Sequence, residues 1–517
     1  GNTQFRNFDQ EKAGSHLVPA VTMQVVLDNE SKTKEKGIGS WGSFVLLVNN
    51  VTGPGIVVLP VAYQLTGWIG TVILICVYTV MSLVASLFLA EAMTRFPGND
   101  RFQGRVEFLE LAEAFLSQGT YRVVVILFFV SLFGMTISSI IESTQVFDDF
   151  MLSFGSVCGY EFYPHIGFRC ISSSQSSDED AAFGEAYVIT AGFLILVAFT
   201  IPFGLNSIGE SMLLQHISFW GLCTVLLVWT WYFASIDQDP TRLPMFGTSG
   251  AALGFVLFNF SFVVTIPTWI NERDPSADIK KILGYSFGMA CLMFIVPCVF
   301  AAIALDFREG EDILTVLTKG PTPVVIQIFS FTYPIVALVS TIPVFSIIIR
   351  DNLVTLKICG ERWANFLGVV SPWILALPFY GGNMINYVVT WVGIISAGPL
   401  NFIIPCAIYL QTQNQYYAIA DQRDDILLED ARENATGPTD APFSTFSPKE
   451  TKNLSFKRGK LEVIPEHPRL SQPFHALEGF SKRWVVGLPR ITIGVTLLAI
   501  CYAAFSSARE GGQSKFS

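Results

Sequence analysis

Phe44-Val45-Leu46-Leu47-Val48-Asn49-Asn50-Val51-Thr52-Gly53-Pro54-Gly55-Ile56-Val57-Val58-Leu59-Pro60 starts apolar, breaks at Asn49 to Gly55 and resumes apolar at Ile56. An α-helix cannot pass through Gly-Pro-Gly undisturbed. Pro54 removes a backbone donor and its ring clashes with the carbonyl four residues back, while Gly53 and Gly55 permit angles that other residues resist. In hydrocarbon each unpaired backbone group costs several kcal/mol, so the break has to be covered by protein, water or a bound solute. The N–H groups freed where the helix restarts near Gly55 form a site suited to an anion such as a carboxylate. A plain proline kink packed against neighbouring helices is the alternative outcome of the same residues.

The rest of the chain places this stretch in a bilayer. Of 517 residues, 51% are hydrophobic and 14% charged, against roughly 25% charged in a typical soluble domain. The apolar residues gather in runs of about 20, the length that crosses about 30 Å of hydrocarbon. Spans are predicted near 41–65, 68–93, 121–151, 186–205, 212–235, 248–270, 281–306, 322–349, 363–379, 384–410 and 485–507, eleven in all. The expected class is an all-α integral membrane protein. Around the core at 41–410 lie an N-terminal tail (1–40), a polar loop (411–484), a last span (485–507) and a short tail (508–517). Residues 1–40 hold no continuous apolar stretch, so the first span is expected to direct insertion. Residues 105–118 predict an amphipathic surface helix with Phe108, Leu111, Ala112 and Phe115 on one face. The Asp-, Glu-, Pro-, Ser- and Lys-rich loop 411–484 is expected to be largely irregular rather than a second folded domain.

Lys and Arg set the orientation. With the N-terminus in the cytoplasm, 25 of them fall on the cytoplasmic side and six opposite. Without the long 411–484 loop the ratio is still 15 to six, as the positive-inside rule requires. This places Cys158 and Cys170 in the non-cytoplasmic loop 152–185, where oxidising conditions allow a disulfide; two free thiols are the alternative. The net charge of −10 comes from acidic residues in a few loops rather than one face, which argues against nucleic acid as a partner. The nine cysteines form no Cys-x-x-Cys or Cys/His cluster, so no metal site is expected. No Ser/His/Asp or paired-carboxylate constellation lies within the spans, which argues against an enzyme.

The sixth span repeats the theme of the first. Phe258-Asn259-Phe260-Ser261-Phe262-Val263-Val264-Thr265-Ile266-Pro267 sets small polar side chains in an apolar helix. Asn259, Ser261 and Thr265 fit a site lining; the phenylalanines fit either the site or ordinary packing. The interrupted spans open successive five-span blocks, 41–235 and 248–410, the pattern of an inverted-repeat transporter with a midplane site. Glu142 is a carboxylate in the third span and hence a proton-coupling candidate, unless it sits at the outer interface bonded to water. His216 is a weaker relay candidate that fits a structural role better.

In TGPGIVVLPVAY, ELAEAFLSQG and FNFSFVVTIPTWINERDP, taken in order over roughly 41–410, the chain resembles the amino acid/auxin permease family of the amino acid–polyamine–organocation superfamily. The resemblance implies a LeuT-like 5+5 inverted repeat, here with one extra C-terminal helix, whose first and sixth spans unwind around an amino acid. It implies substrate contacts at Thr52, Gly53 and Gly55 for the carboxylate and at Asn259, Phe260 and Ser261 for the amino group and side chain. It further implies an ion site at Asn49 with Ser340 or Thr341, whose hydroxyls alternatively bond back to their own helix. Two positions depart from the family pattern: Ser261-Phe262 replaces a glycine pair, and Pro54 follows the first glycine. The function expected is secondary active transport of small neutral amino acids on a Na⁺ or H⁺ gradient, with no other cofactor. A non-transporting sensor, or a subunit of a larger membrane assembly, is the second expectation; it is motivated by the bulk of Phe262 and by the long loop.

Overall fold

The computed structural model describes residues 37–172, 183, 186–247, 251–307, 311–381, 389–414, 454–457, 460–463, 476 and 482–513. The expectations for residues 1–36, for most of the 411–484 loop and for 514–517 fall outside them. Below, only the unit from Ile38 onward is described.

The first span is two helices. α1 (Ser40–Val51) stops at the Asn-Asn-Val-Thr run, a 3-10 turn takes Pro54–Ile56, and α2 (Leu59–Thr66) continues. α3 (Trp68–Thr94) leads to α4 (Phe108–Phe115) and the 36-residue α5 (Gln118–Ser153). Three strands follow, β1 (Ser156–Tyr163), β2 (Gly167–Ser172) and β3 (Tyr187–Thr190), forming an antiparallel sheet with β1 in the middle. α6 (Ala191–Gly204) and α7 (Met212–Ser235) complete this half. The second half opens on another broken helix: α8 (Ala251–Asn259), a 3-10 turn Val263–Thr265 and α9 (Ile266–Glu272). Then come α10 (Ile279–Ala304), the short α11 (Ile313–Lys319) and α12 (Val324–Thr355), which carries a π turn at Pro334–Leu338. α13 is assembled from Glu361–Asn365, a π turn Phe366–Val370 and Ser371–Ala376; α14 (Val389–Asn414) contains two further π turns. Strands β4 (Leu454–Lys457) and β5 (Lys460–Val463) and the helix α15 (Lys482–Gln513) close the chain.

Among the described residues, eight helices are long and apolar enough to cross a membrane, with α8 and α9 counted as one. The other three predicted spans fall short for visible reasons. The first is split by Gly-Pro-Gly, α6 keeps only 14 residues because Tyr187–Thr190 pairs as a strand, and α13 is interrupted by its π turn. Two spans occupy the centre: 94% of the Leu253–Glu272 window and 89% of the Val324–Thr355 window are buried, whereas Trp484–Ala504 is 17% buried and therefore rims the fold.

One other expectation is revised. The helix read over 105–118 is shorter, and it is packed into the fold: Phe108, Leu109, Leu111, Ala112 and Phe115 are all buried, and Glu107 caps its first turn from a fully buried position. Within the loop expected to be largely irregular, β4 and β5 pair antiparallel, in line with the alternation of Leu454, Phe456, Leu461 and Val463. In the three-stranded sheet, the β1–β2 register sets Cys158 opposite Cys170, their Cα atoms 4.1 Å apart.

A candidate solute cavity between two broken helices

At the first break the Thr52 N–H and hydroxyl both return to the Val48 carbonyl, at 3.0 and 2.8 Å, and end α1. Gly53 is extended, so its carbonyl leaves the helical ladder. That carbonyl receives the Tyr333 hydroxyl of α12 at 3.3 Å. At the second break the Ser261 and Thr265 hydroxyls bond back to Phe258 and Phe262. The freed Val264 N–H donates to Asn401 Oδ1 of α14 at 3.2 Å. Each break thus finds a partner on a helix more than 130 residues away, which meets the demand for satisfied backbone in an apolar medium.

The breaks face each other. Asn50, Val51, Gly53 and Gly55 from the first, Phe258 and Asn259 from the second, and Met135 from α5 line about 170 Å³ of empty space. The space is narrow; no part of it centres a water-sized sphere. Its lining carries no ionisable side chain. The Oδ1 atoms of Asn50 and Asn259 are buried and have no donor among the described residues. Asn259 packs so closely on Gly55 that a Cβ there would lie 2.4 Å from its Nδ2 and 2.5 Å from its Oδ1.

Of the residues singled out from sequence, Gly53, Gly55 and Asn259 meet at this cavity. Thr52, Phe260 and Ser261 are buried beside it without lining it; Phe260 packs edge-on against Phe294. Asn49 lies further along α1, where its Nδ2 donates to both the backbone and the side-chain oxygen of Gln215, at 2.8 and 2.9 Å. Gln215 Nε2 in turn donates to the Ser340 carbonyl at 2.9 Å, so one carboxamide bridges α1, α7 and α12. The Ser340 and Thr341 hydroxyls bond back within α12. His216 bonds the Met212 carbonyl one turn earlier. Glu142 lies two helical turns beyond Met135 on α5, 6% exposed. Asn50, Met135, Gln215, Tyr333 and Asn401 were not singled out; each is an ordinary helical residue until the fold brings it to a break.

A second polar cluster sits at the predicted cytoplasmic end. Glu107 accepts from the Thr268 hydroxyl at 2.7 Å and from Asn271 Nδ2 at 3.0 Å, while Arg105 reaches Glu107, Glu272 and Asp351. Burial pushes the Glu107 carboxyl above its ordinary range, against the pull of Arg105 and these hydrogen bonds. The chain ahead of α1 joins this region through Ile38, which exchanges backbone hydrogen bonds with Glu272 and Asp274.

Spans of this length and apolarity, packed around two helices that unwind opposite each other, define a multi-pass integral membrane protein. Residues 36–418 match the family described as transmembrane amino acid transporter protein, and the chain belongs to that family. This is a family of transporters, not of enzymes. No curated protein matches. Among solved structures the chain is similar to a nucleobase-cation-symport-1 family transporter in a closed conformation with bromovinylhydantoin bound. The identity is 12%, the TM-score 0.46, and the match covers 72% of this chain and 78% of that one.

Proposed function

We propose that the protein carries small neutral amino acids across its membrane by alternating access, driven by a Na⁺ or H⁺ gradient, on a LeuT-like core of ten spans plus an eleventh. The observation that carries this reading is the cavity between the two breaks. Its lining offers amide oxygens for an ammonium group, backbone next to Gly53 and Gly55 for a carboxylate, and no charge that would favour an acidic or basic side chain. The small free volume favours a small solute, which enters as the half-helices move apart.

In this reading Glu142 is the proton-coupling candidate, Asn49 with Ser340 and Thr341 the candidate ion site, and the N-terminus is cytoplasmic. Cys158 and Cys170, facing each other in the outer sheet, form the disulfide. Uptake of labelled alanine, serine and glycine into liposomes, with and without imposed Na⁺ and H⁺ gradients, tests the proposal. Gradient-dependent accumulation is expected; none with any neutral amino acid would sink it. The tightness of the cavity also fits a second reading, a sensor that binds without turnover. Binding without flux in the same liposomes would select it.

A further inference from the structure

α14 lies across the second break as a splint. Its first π turn, Gly393–Ala397, touches α8 on one side of the gap: a Cβ at Gly393 would stand 2.6 Å from the Gly254 carbonyl oxygen and 3.2 Å from the Phe258 Cβ. Its second, Pro399–Ile403, meets the 3-10 turn Val263–Thr265. There Asn401 Oδ1 takes the Val264 N–H, while Asn401 Nδ2 donates to the Ala397 carbonyl at 2.8 Å. One helix thus holds both edges of the gap. Two π turns interrupt its own regular ladder, so its position depends on what it is fastened to.

The fastening is to α3. Three contacts among the described residues run down the pair. Tyr78 meets Phe402 edge-on with ring centroids 5.1 Å apart, Phe88 stacks on Tyr409 at 4.0 Å, and Glu91 accepts from Gln413 Nε2 at 3.2 Å. The third differs in kind from the first two. Stacked rings tolerate sliding, whereas a charge-assisted hydrogen bond fixes one register. Glu91 is 2% exposed, and a carboxylate this deeply buried needs donors around it. Its Oε1 takes Gln413 and the guanidinium of Arg95, which also lies over the Tyr409 ring. Its Oε2 takes the Ala476 N–H at 2.7 Å, just ahead of α15. α3, α14 and the chain entering α15 therefore meet on one carboxylate, and neither Glu91 nor Gln413 lines the solute cavity.

We propose that Glu91 is a positioning residue for the second break and acts through α14. By holding Gln413 it sets where Asn401 stands, twelve residues or about 18 Å along the same helix, and so how the Val264 end of the break is held. The assignment rests on the transporter reading, in which the break belongs to the solute site, and adds to it a residue remote from the cavity.

Amide hydrogen exchange of the intact protein in lipid nanodiscs reads the break directly. Glu91→Gln, which keeps the shape and removes the charge that holds Gln413, should speed exchange of the Val264 N–H about tenfold while the amides of α6 keep their rates. Gln413→Leu, which leaves the Glu91–Arg95 pair in place, should do the same. Asn401→Ala should also speed it, and Glu91→Gln combined with Asn401→Ala no further than Asn401→Ala alone, because sites this far apart multiply their effects on a rate unless one acts through the other. Glu91→Gln with Gln413→Glu exchanges the two groups and should bring the slow rate back. Counterflow of labelled amino acid in liposomes should follow the same order: slower in each single variant, no slower in the combination with Asn401→Ala than in that variant alone, and recovered in the exchanged pair. An unchanged Val264 rate in Glu91→Gln and Gln413→Leu, an equal acceleration in α6, or multiplied effects in the combination would each overturn the assignment. If the protein moves no amino acid and Val264 still answers to Glu91, the carrier reading fails and the positioning role stands.

Discussion

At Gly55 the Asn259 carboxamide occupies the place a side chain would take. Gly55→Ala drives a methyl into the Asn259 carboxamide and pushes α2 away from α8, so uptake should fall to background while the protein remains in the membrane. Tyr333→Phe tests the partner of the other glycine. It leaves the Gly53 carbonyl only the 3.5 Å bond from the Ile56 N–H, which should lower stability by about 0.5–1.5 kcal/mol; an unchanged unfolding midpoint in detergent would count against that bond. At this scale the sequence was legible only where a residue broke a local rule. Gly53, Gly55 and Asn259 stand out as breaks in apolar helices. Tyr333, Asn401 and Gln215 obey every local rule and gain their roles from partners far away in the chain, which a single sequence does not pair.

Elements tell a similar story with a different balance. The first break was readable from Gly-Pro-Gly, whose effect on a helix is intrinsic to those residues. The second, with Pro267 already beyond it, depends on Asn401 taking the Val264 N–H, a tertiary contact. The shortness of α4 has the same origin: Glu107 reads as part of a polar face, yet Thr268 and Asn271 draw it inside. Its buried carboxyl makes a pH prediction. The folded chain holds the Glu107 proton more tightly than the unfolded chain does, so this contribution to stability is full below the ordinary carboxylate pKa of about 4.3 and is lost as pH rises through the raised value. Glu107→Gln has no such proton. The thermal midpoint of the wild type should therefore decline relative to Glu107→Gln as pH rises above about 4, and parallel curves would refute the sign.

For the whole molecule, composition and hydropathy sufficed to place the chain in a membrane, because burying this much apolar surface needs lipid as well as protein. Helix counting fared less well. Among the described residues length and apolarity identify eight spans, and the other three expected from sequence do not meet that test, because π turns, a strand and the Gly-Pro-Gly break shorten their regular parts. Topology remains open to direct measurement. With the N-terminus in the cytoplasm, the sequons at Asn29, Asn434 and Asn453 should stay unglycosylated in a eukaryotic membrane, and glycan on any of them would invert the assignment. On the far side, Cys158 and Cys170 should resist alkylation until a reductant is added; labelling of both without one would show free thiols.

Ile38 stitches the chain entering α1 to the residues leaving α9, and it does so with main-chain bonds that among substitutions only proline removes. The start of one interrupted rod and the end of the other are tied along a common edge. Any displacement of one carries the other with it, unless that short seam first unzips.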